Sequence, residues 1–251
     1  MAHETIDGTY RQTNLPNESS AYLRKRDELR RAEIELRNQR ERVAELRRQL
    51  PLGAIVPDYE LLEGPASLDD GDAPIRPVRL SELFTSPDRA LVIYHIMYGK
   101  RQTTPCPMCT CWLDSFNGVA HHLAQNIDFA AVAAADVPTF RAHARSRGWN
   151  KLRLLSAGDG TFKYDLGSED EAGYQDSEIS VFTVDDDGTV RHFYSVHPRL
   201  ADDLDTRGID EYNPVWNVLD LTPRGREDWD ASLDYGLEVP GRDASASRSR
   251  A

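Results

Sequence analysis

The sequence predicts an α/β fold in which a central mixed β-sheet is flanked by helices and preceded by one long helix. Beyond residue 51, apolar runs of strand length alternate with helical segments, which is the pattern of layered α/β domains. The run at 90–98 is almost continuously apolar, as expected of a central strand that is covered on both faces. An Asp-Asp-Asp-Gly turn at 185–188 lies between two further apolar runs and predicts a hairpin.

The N-terminal part of the chain consists of two predicted segments. Residues 1–17 are polar and are predicted to be disordered. Residues 18–50 carry ten basic and seven acidic residues and place Leu29, Leu36 and Val43 at heptad spacing, which predicts a charged amphipathic helix. Two roles stay open for this helix. In the first, it docks on the acidic remainder of its own chain or pairs with the same helix of a second copy in a homodimer. In the second, it forms a coiled coil that recruits another protein.

Residues 51–236 are predicted to form one domain, followed by a disordered tail at 237–251. Strands are predicted at 77–80, 90–98, 127–134, 152–156, 179–184 and 189–196. Helices are predicted after Ser81 as an N-cap, from the cysteine segment to about 124, from 136 to 148 and over 212–219. The polar segment 159–173 is predicted to be irregular.

The charge and the apolar content of the sequence argue against several classes of function. The net charge of −12 argues against binding to nucleic acid. No stretch reaches the ~18 apolar residues that a membrane helix needs, and the first residues lack the apolar core of a secretory signal. The sequence therefore predicts a cytoplasmic protein. In that compartment, closely spaced thiols are more often catalytic or metal-binding than structural.

The three cysteines of the chain, Cys106, Cys109 and Cys111, lie within six residues. Unpaired N–H groups and the helix dipole stabilise a thiolate at a helix N-terminus, so Cys106 is the predicted nucleophile. Pro107 suits the first position of the helix. Cys109 lies one turn further along the same face and is predicted to resolve the mixed disulfide. This chemistry requires no bound cofactor.

Cys111 keeps a second interpretation open. It lies five residues from Cys106, about 140° around a helix, so it is interpreted as a small buried hydrophobic residue. Alternatively, the three thiols together bind a soft metal such as copper or zinc, with Met97 and Met108 as neighbours. Structural zinc requires four ligands, and three cysteines supply only three of them.

His95 and Asp114 are further candidate site residues. His95 lies in the predicted strand that leads to the cysteine loop. It either tunes Cys106 as a nearby cation or proton relay, or it is a hydrogen-bonded core histidine. Asp114 follows the cysteines on the helix. It accepts the proton of Cys109 if it is buried beneath that thiol, and otherwise it is a solvated aspartate.

Five motifs are shared with a known family: VRLSELF (78–84), LVIYH (91–95), CPMCT (106–110), WLDSFNG (112–118) and WNVLDLTP (216–223). Through them, residues 50–221 resemble a bacterial thioredoxin-like family that is known only as a domain of unknown function. The resemblance implies a three-layer thioredoxin-like fold and dithiol–disulfide oxidoreductase chemistry. It also implies a disulfide- or peroxide-containing substrate and a thiol electron donor.

Two departures from that resemblance are visible. Cys111 stands where a small polar residue is expected, and 174–178 contains no proline, although thioredoxins place one before the strand that faces the dithiol. The leading hypothesis is a thiol–disulfide oxidoreductase that uses Cys106 and Cys109. The alternatives are a soft-metal module and a non-enzymatic, redox-responsive interaction protein.

Overall fold

The computed structural model describes residues 15–201 and 208–236. The chain divides into two compact units, Met1–Pro51 and Leu52–Ala251. Most of the segment 1–17 and the whole tail 237–251, both predicted to be disordered, lie outside the described residues. Within the described ranges, no helix combines the length and the apolar character needed to cross a membrane.

The first unit contains one long helix, α1 (Ser20–Arg48). Ser19 begins it, because its side chain accepts a hydrogen bond from the backbone N–H of Tyr22 at 3.1 Å. Arg47 and Arg48 lie in the last turn, where positive charge is favourable. The predicted long helix is confirmed. Its pairing with a second copy or another protein stays a prediction.

The second unit is built on a seven-stranded mixed sheet of order β2-β1-β5-β4-β3-β6-β7. Strands β3, β4 and β5 are parallel, and the other neighbours are antiparallel. The strands are β1 (Glu60–Glu63), β2 (Arg76–Arg79), β3 (Leu91–His95), β4 (Asp128–Ala133), β5 (Arg153–Ser156), β6 (Glu178–Val184) and β7 (Val190–Val196). Within its described residues, 52–201 and 208–236, the α-helices are α2 (Pro107–Leu123), α3 (Val137–Arg147), α4 (Phe162–Asp165) and α5 (Pro214–Leu219).

The two faces of the sheet pack against different elements. Successive side chains of a strand point to opposite faces, so β3 contributes to two cores. Tyr94 packs in a core with Trp112 of α2, Phe140 of α3 and Trp216 of α5. Ile93 packs in the other core. That second core also contains Leu61, Val78, Leu80, Leu83 and Phe162.

The predicted α/β class, the mixed sheet and the order of elements expected of a thioredoxin-like fold are confirmed. Three local predictions are corrected. Ser81 does not cap a helix, because it lies inside a 3₁₀ turn (Leu80–Leu83) and bonds to Asp58 instead. The segment 159–173 is not wholly irregular, since it contains α4. The last helix begins at Pro214, after a separate 3₁₀ turn, because Asn213 caps it and proline lacks an N–H.

The outer strand β7 is partly covered by the first residues of the same unit. Val56 N–H donates to the Val190 carbonyl at 3.1 Å, and His192 N–H donates to the Ala54 carbonyl at 2.9 Å. Gly53 permits this approach, since a Cβ there would lie 1.6 Å from the His192 carbonyl oxygen. The first half of β7 thus has hydrogen-bonded neighbours on both sides.

Candidate active site

The loop after β3 brings Cys106 to the beginning of α2. Gly99 and Gln102 form a tight turn with two backbone hydrogen bonds of 2.7 and 2.9 Å. The Cys106 N–H then donates to the Met97 carbonyl at 3.1 Å, which ties the cysteine to the strand end. Pro107 occupies the first turn of α2, where its missing N–H costs nothing. Cys106 is therefore the N-cap residue, as predicted.

The sulfur of Cys106 is partly exposed and is surrounded by hydrogen-bond donors. Its Sγ accepts from the Cys109 backbone N–H at 3.4 Å. The Cys109 thiol and the N–H groups of Cys109 and Met108 hold the pKa of Cys106 at about 7, although burial opposes this shift. A thiol with this pKa is close to half ionised at neutral pH, which suits attack on a disulfide or peroxide.

Cys109 is the buried member of the pair, with 1% of its surface exposed. Burial and the neighbouring Cys106 sulfur raise the pKa of Cys109 well above its ordinary value. Two donors oppose that shift, the Met97 backbone N–H and the Tyr94 hydroxyl. Cys109 therefore holds its proton in the resting state, and two groups stabilise its thiolate when it forms.

Both thiols are free, and each one shifts the pKa of the other. They differ in pKa and in access, since Cys106 is half-buried and ionises first whereas Cys109 is enclosed and ionises late. Chemically, this is an exposed nucleophile beside a protected second sulfur. The pair is therefore suited to form and break one disulfide.

Asp176 precedes β6, in the segment that contains no proline, and its charge raises the pKa of Cys106. We expect Asp176→Asn to lower the pKa of Cys106 by up to about one unit, because a nearby negative charge disfavours a thiolate. The Asn side chain keeps the Oδ1 that accepts from the Ser177 N–H at 2.7 Å. The pH dependence of iodoacetamide alkylation measures the shift.

The matched control for this prediction is Asp186→Asn, which removes the same charge from the exposed β6–β7 turn. Its alkylation profile should coincide with that of the unmodified protein. An Asp176→Asn profile that stays in place, or that moves to higher pH, contradicts the prediction.

His95 lies on the opposite side of the sheet from the dithiol. Its ring stacks on Phe162, with centroids 5.3 Å apart, and its Nδ1 lies 2.6 Å from the Ser168 Oγ. Burial and the ammonium of Lys163 hold the pKa of His95 well below its ordinary value, so the ring is neutral. The structure thus places His95 as a hydrogen-bonded core histidine, not as a cation beside Cys106.

Asp114 is also placed away from the dithiol. Its carboxylate pairs with Arg147 and accepts a hydrogen bond from Trp149 Nε1 at 2.7 Å. It joins α2 to the end of α3 and lies near Cys111. Asp114 is therefore part of an ion pair, and these contacts give no support to a role as proton acceptor for Cys109, which stays a prediction.

Cys111 points away from the Cys106–Cys109 pair, as its position around the helix predicts, but it is half-buried rather than buried and faces a cavity of about 600 Å³. The cavity is also lined by Asp114, Ser115, Arg147, Val215, Trp229, Ser232 and Tyr235. Burial raises the pKa of Cys111, and the Asn213 amide lies 3.7 Å from its sulfur. This thiol is separate from the pair at the beginning of α2.

Tyr94 and Asp176 belong to the site but are not among the residues predicted from the sequence. Tyr94 is adjacent to His95, and only the alternation of β3 decides which of the two side chains faces Cys109. Asp176 is 79 residues beyond Met97, and antiparallel pairing of β6 with β3 brings it to the site. Its position just before the predicted strand 179–184, where thioredoxins place a proline, is the signal that identifies it.

Comparison with solved structures finds peroxiredoxins. Reduced Prx3 of Vibrio vulnificus in complex with H₂O₂ is 17% identical, with a TM-score of 0.45 over 64% of this chain and 92% of that chain. A reduced 2-Cys peroxiredoxin of Plasmodium vivax is 12% identical, with a TM-score of 0.45 over 64% and 90%. Peroxidoxin BcpB of Mycobacterium tuberculosis is 18% identical, with a TM-score of 0.43 over 65% and 94%.

A search of curated proteins finds no match. A family model, described as a bacterial protein of unknown function (DUF899), matches residues 12–238. That match spans α1 and every strand of the sheet. The chain therefore belongs to the DUF899 family.

Proposed function

We propose that this protein is a thiol–disulfide oxidoreductase in which Cys106 is the nucleophile and Cys109 the resolving cysteine. The observation that carries the proposal is the asymmetry of the pair. Cys106 has a pKa of about 7 at a helix N-cap, and Cys109 lies beside it, enclosed and protonated. Such asymmetry separates attack from resolution, because only one sulfur is both ionised and accessible.

The reaction has two steps. The Cys106 thiolate attacks a sulfur of a disulfide, forming a mixed disulfide and releasing one thiolate, or attacks a peroxide oxygen, forming a sulfenic acid and releasing an alkoxide or hydroxide. The Cys109 sulfur then attacks the Cys106 sulfur. The internal disulfide forms, and the remaining substituent leaves as a thiol or as water with the Cys109 proton. A second thiol compound returns two electrons and regenerates the dithiol.

The proposed substrate classes are disulfides and peroxides, and the proposed electron donor is a thiol. The proposal fits a reducing compartment such as the cytoplasm, where thiol donors are available. It needs no contribution from α1. That helix leaves Leu29, Leu36 and Leu46 exposed on its own unit, and homodimer formation through it stays a sequence prediction.

The metal-binding alternative has less support. No group of three or more His, Cys, Asp or Glu side chains within 15–201 and 208–236 is arranged to hold a metal ion. Cys111 faces the cavity that Asp114 and Arg147 also line, whereas Cys109 faces Tyr94. The three sulfurs therefore do not point to a common centre. The arrangement favours dithiol chemistry over soft-metal binding.

A redox titration tests the proposal. We expect the protein, equilibrated in glutathione buffers of graded potential and quenched with acid and an alkylating agent, to show one two-electron transition. Peptide mass spectrometry should assign it to a Cys106–Cys109 disulfide. Absence of that disulfide at every potential, or a disulfide that involves Cys111 instead, would overturn the proposal.

A further inference from the structure

A cluster of buried polar side chains lies behind the dithiol, and the chemistry described so far does not use it. It forms where the end of β3, the α4 region and the beginning of β6 meet. His95 and Glu178 are direct partners across the β3–β6 pair. Lys163 of α4 is adjacent, since its carbonyl accepts from the Ser168 N–H at 2.9 Å, and Ser168 bonds to His95. Lys163 and Glu178 are both fully buried.

Several polar atoms of this cluster are buried without a hydrogen-bond partner. They are His95 Nε2, Lys163 Nζ, Gln175 Oε1 and Glu178 Oε2. Leaving such atoms unpaired destabilises the folded state, and a charged group does so more than a neutral one. Replacing buried charged groups by apolar side chains of similar volume often increases stability. A methionine at 163 would therefore suit a purely structural role better than a lysine. The buried ammonium therefore calls for a functional explanation.

The charged and titratable groups that surround Lys163 come from four parts of the fold. They are Cys109 of α2, His95 of β3, Glu169 after α4, and Asp176 and Glu178 at the beginning of β6. Burial lowers the pKa of Lys163 to about 8. The Cys109 sulfur, once it is ionised, opposes that shift most, followed by the carboxylates of Glu169, Glu178 and Asp176. Of the neighbouring residues of β3, Tyr94 lies on the side of Cys109 and His95 on the side of Lys163.

Glu178 joins the cluster to the surface. Its Oε1 accepts hydrogen bonds from Ser180 and Ser195, and Ser195 Oγ lies 2.8 Å from His192 Nε2. Its Oε2 lies 3.4 Å from Nε2 of His197, a side chain that is 33% exposed. Glu178 is thus a fixed carboxylate near Lys163 that favours the protonated amine.

We propose that Lys163 is the buried counter-charge of the resolving cysteine, so that its ammonium stabilises the Cys109 thiolate during resolution while Glu178 keeps Lys163 protonated. This inference rests on the proposed oxidoreductase function. In the step itself, the Cys109 sulfur loses its proton and bonds to Cys106, the bond from Cys106 to its substituent breaks, and the leaving group takes up a proton. Lys163 keeps its own proton and acts as a positioning residue.

A two-phase reaction with Ellman's reagent tests this inference in a Cys111→Ser background. Cys106 releases the first nitrothiolate and forms a mixed disulfide, and Cys109 releases the second. We expect Lys163→Met to slow the second phase at pH 7 at least about tenfold and to move its pH profile upward, because removing a nearby positive charge raises a thiol pKa by a unit or more. The first phase should not change.

The matched control is Lys100→Met, which removes a partly exposed lysine that pairs with Glu169 in the same region. Both phases of this variant should follow the parent protein. Glu178→Gln is a second variant. It removes the carboxylate near Lys163, lowers the pKa of that lysine further and should slow the second phase in the same direction.

A purely structural role for Lys163 predicts a different result, a changed melting temperature with an unchanged pH profile. If both variants keep the parent rate and profile in the second phase, the inference is overturned and the oxidoreductase function stands. If the parent protein shows no second phase, the proposed function fails, and the inference fails with it.

Discussion

Replacing Cys109 by serine should trap the protein as a stable mixed disulfide on Cys106, whereas replacing Cys106 should nearly abolish thiol reactivity. In a Cys111→Ser background, Cys109→Ser should release one equivalent of nitrothiolate from Ellman's reagent and keep the other half bound. The parent should release two. Cys106→Ser should react at least about fiftyfold more slowly at pH 7, because the remaining thiol is enclosed and almost wholly protonated.

Absorbance at 412 nm follows the release, and intact mass spectrometry identifies the adduct. The Cys111→Ser parent is itself the control, since its own two phases show that Cys111 is dispensable. A second equivalent released by Cys109→Ser would mean that another group resolves the mixed disulfide. Rapid reaction of Cys106→Ser would mean that Cys109 is accessible and that the proposed asymmetry does not exist.

Gly99→Ala should be the most destabilising single-methyl substitution in the site. Gly99 has a φ of +107°, and a Cβ there would lie 2.1 Å from the backbone nitrogen of Ala135. The loop cannot move away easily, because Tyr98 C=O accepts from the Ala134 and Ala135 N–H groups. We expect a loss of about 1–2 kcal/mol from the backbone conformation and about 1–3 kcal/mol more from the clash.

Gly188→Ala provides the comparison for this prediction. Gly188 has a φ of +87°, and a Cβ there would meet nothing within 4 Å. Denaturant unfolding of the two variants therefore separates the conformational cost from the cost of the close approach. Equal losses of unfolding free energy would show that the Gly99 loop moves to accommodate the methyl group. Unchanged stability of both variants would contradict the backbone argument as well.

The cysteine pair could be predicted from the sequence because its determinants are local. An apolar strand, a polar loop, a cysteine and Pro107 in succession fix a helix start, and three-residue spacing puts Cys109 one turn further. The spacing along the same helix also explains why Cys111 could be predicted to point away from Cys106 and Cys109. No knowledge of distant residues was needed for these conclusions.

The surroundings of the pair could not be predicted, because they depend on pairing between distant segments. Both faces of β3 are buried, so its apolar pattern does not say whether Tyr94 or His95 faces α2. Lys163 lies in a segment whose polar composition indicates a solvated loop, yet packing against β3 encloses it. The composition of a segment predicts whether most of its residues are exposed or buried. It does not identify a single lysine that is buried although its neighbours in the sequence are polar.

The covered half of β7 limits how copies of this protein can associate. An outer strand with free backbone groups is a site where a second chain adds and continues the sheet. Here 54–56 already occupies the hydrogen-bonding groups of Val190 and His192, and Ile55 bridges to Arg191. A dimer formed by continuing the sheet through this half of β7 would first have to displace that segment. Self-association without such a rearrangement must use another surface.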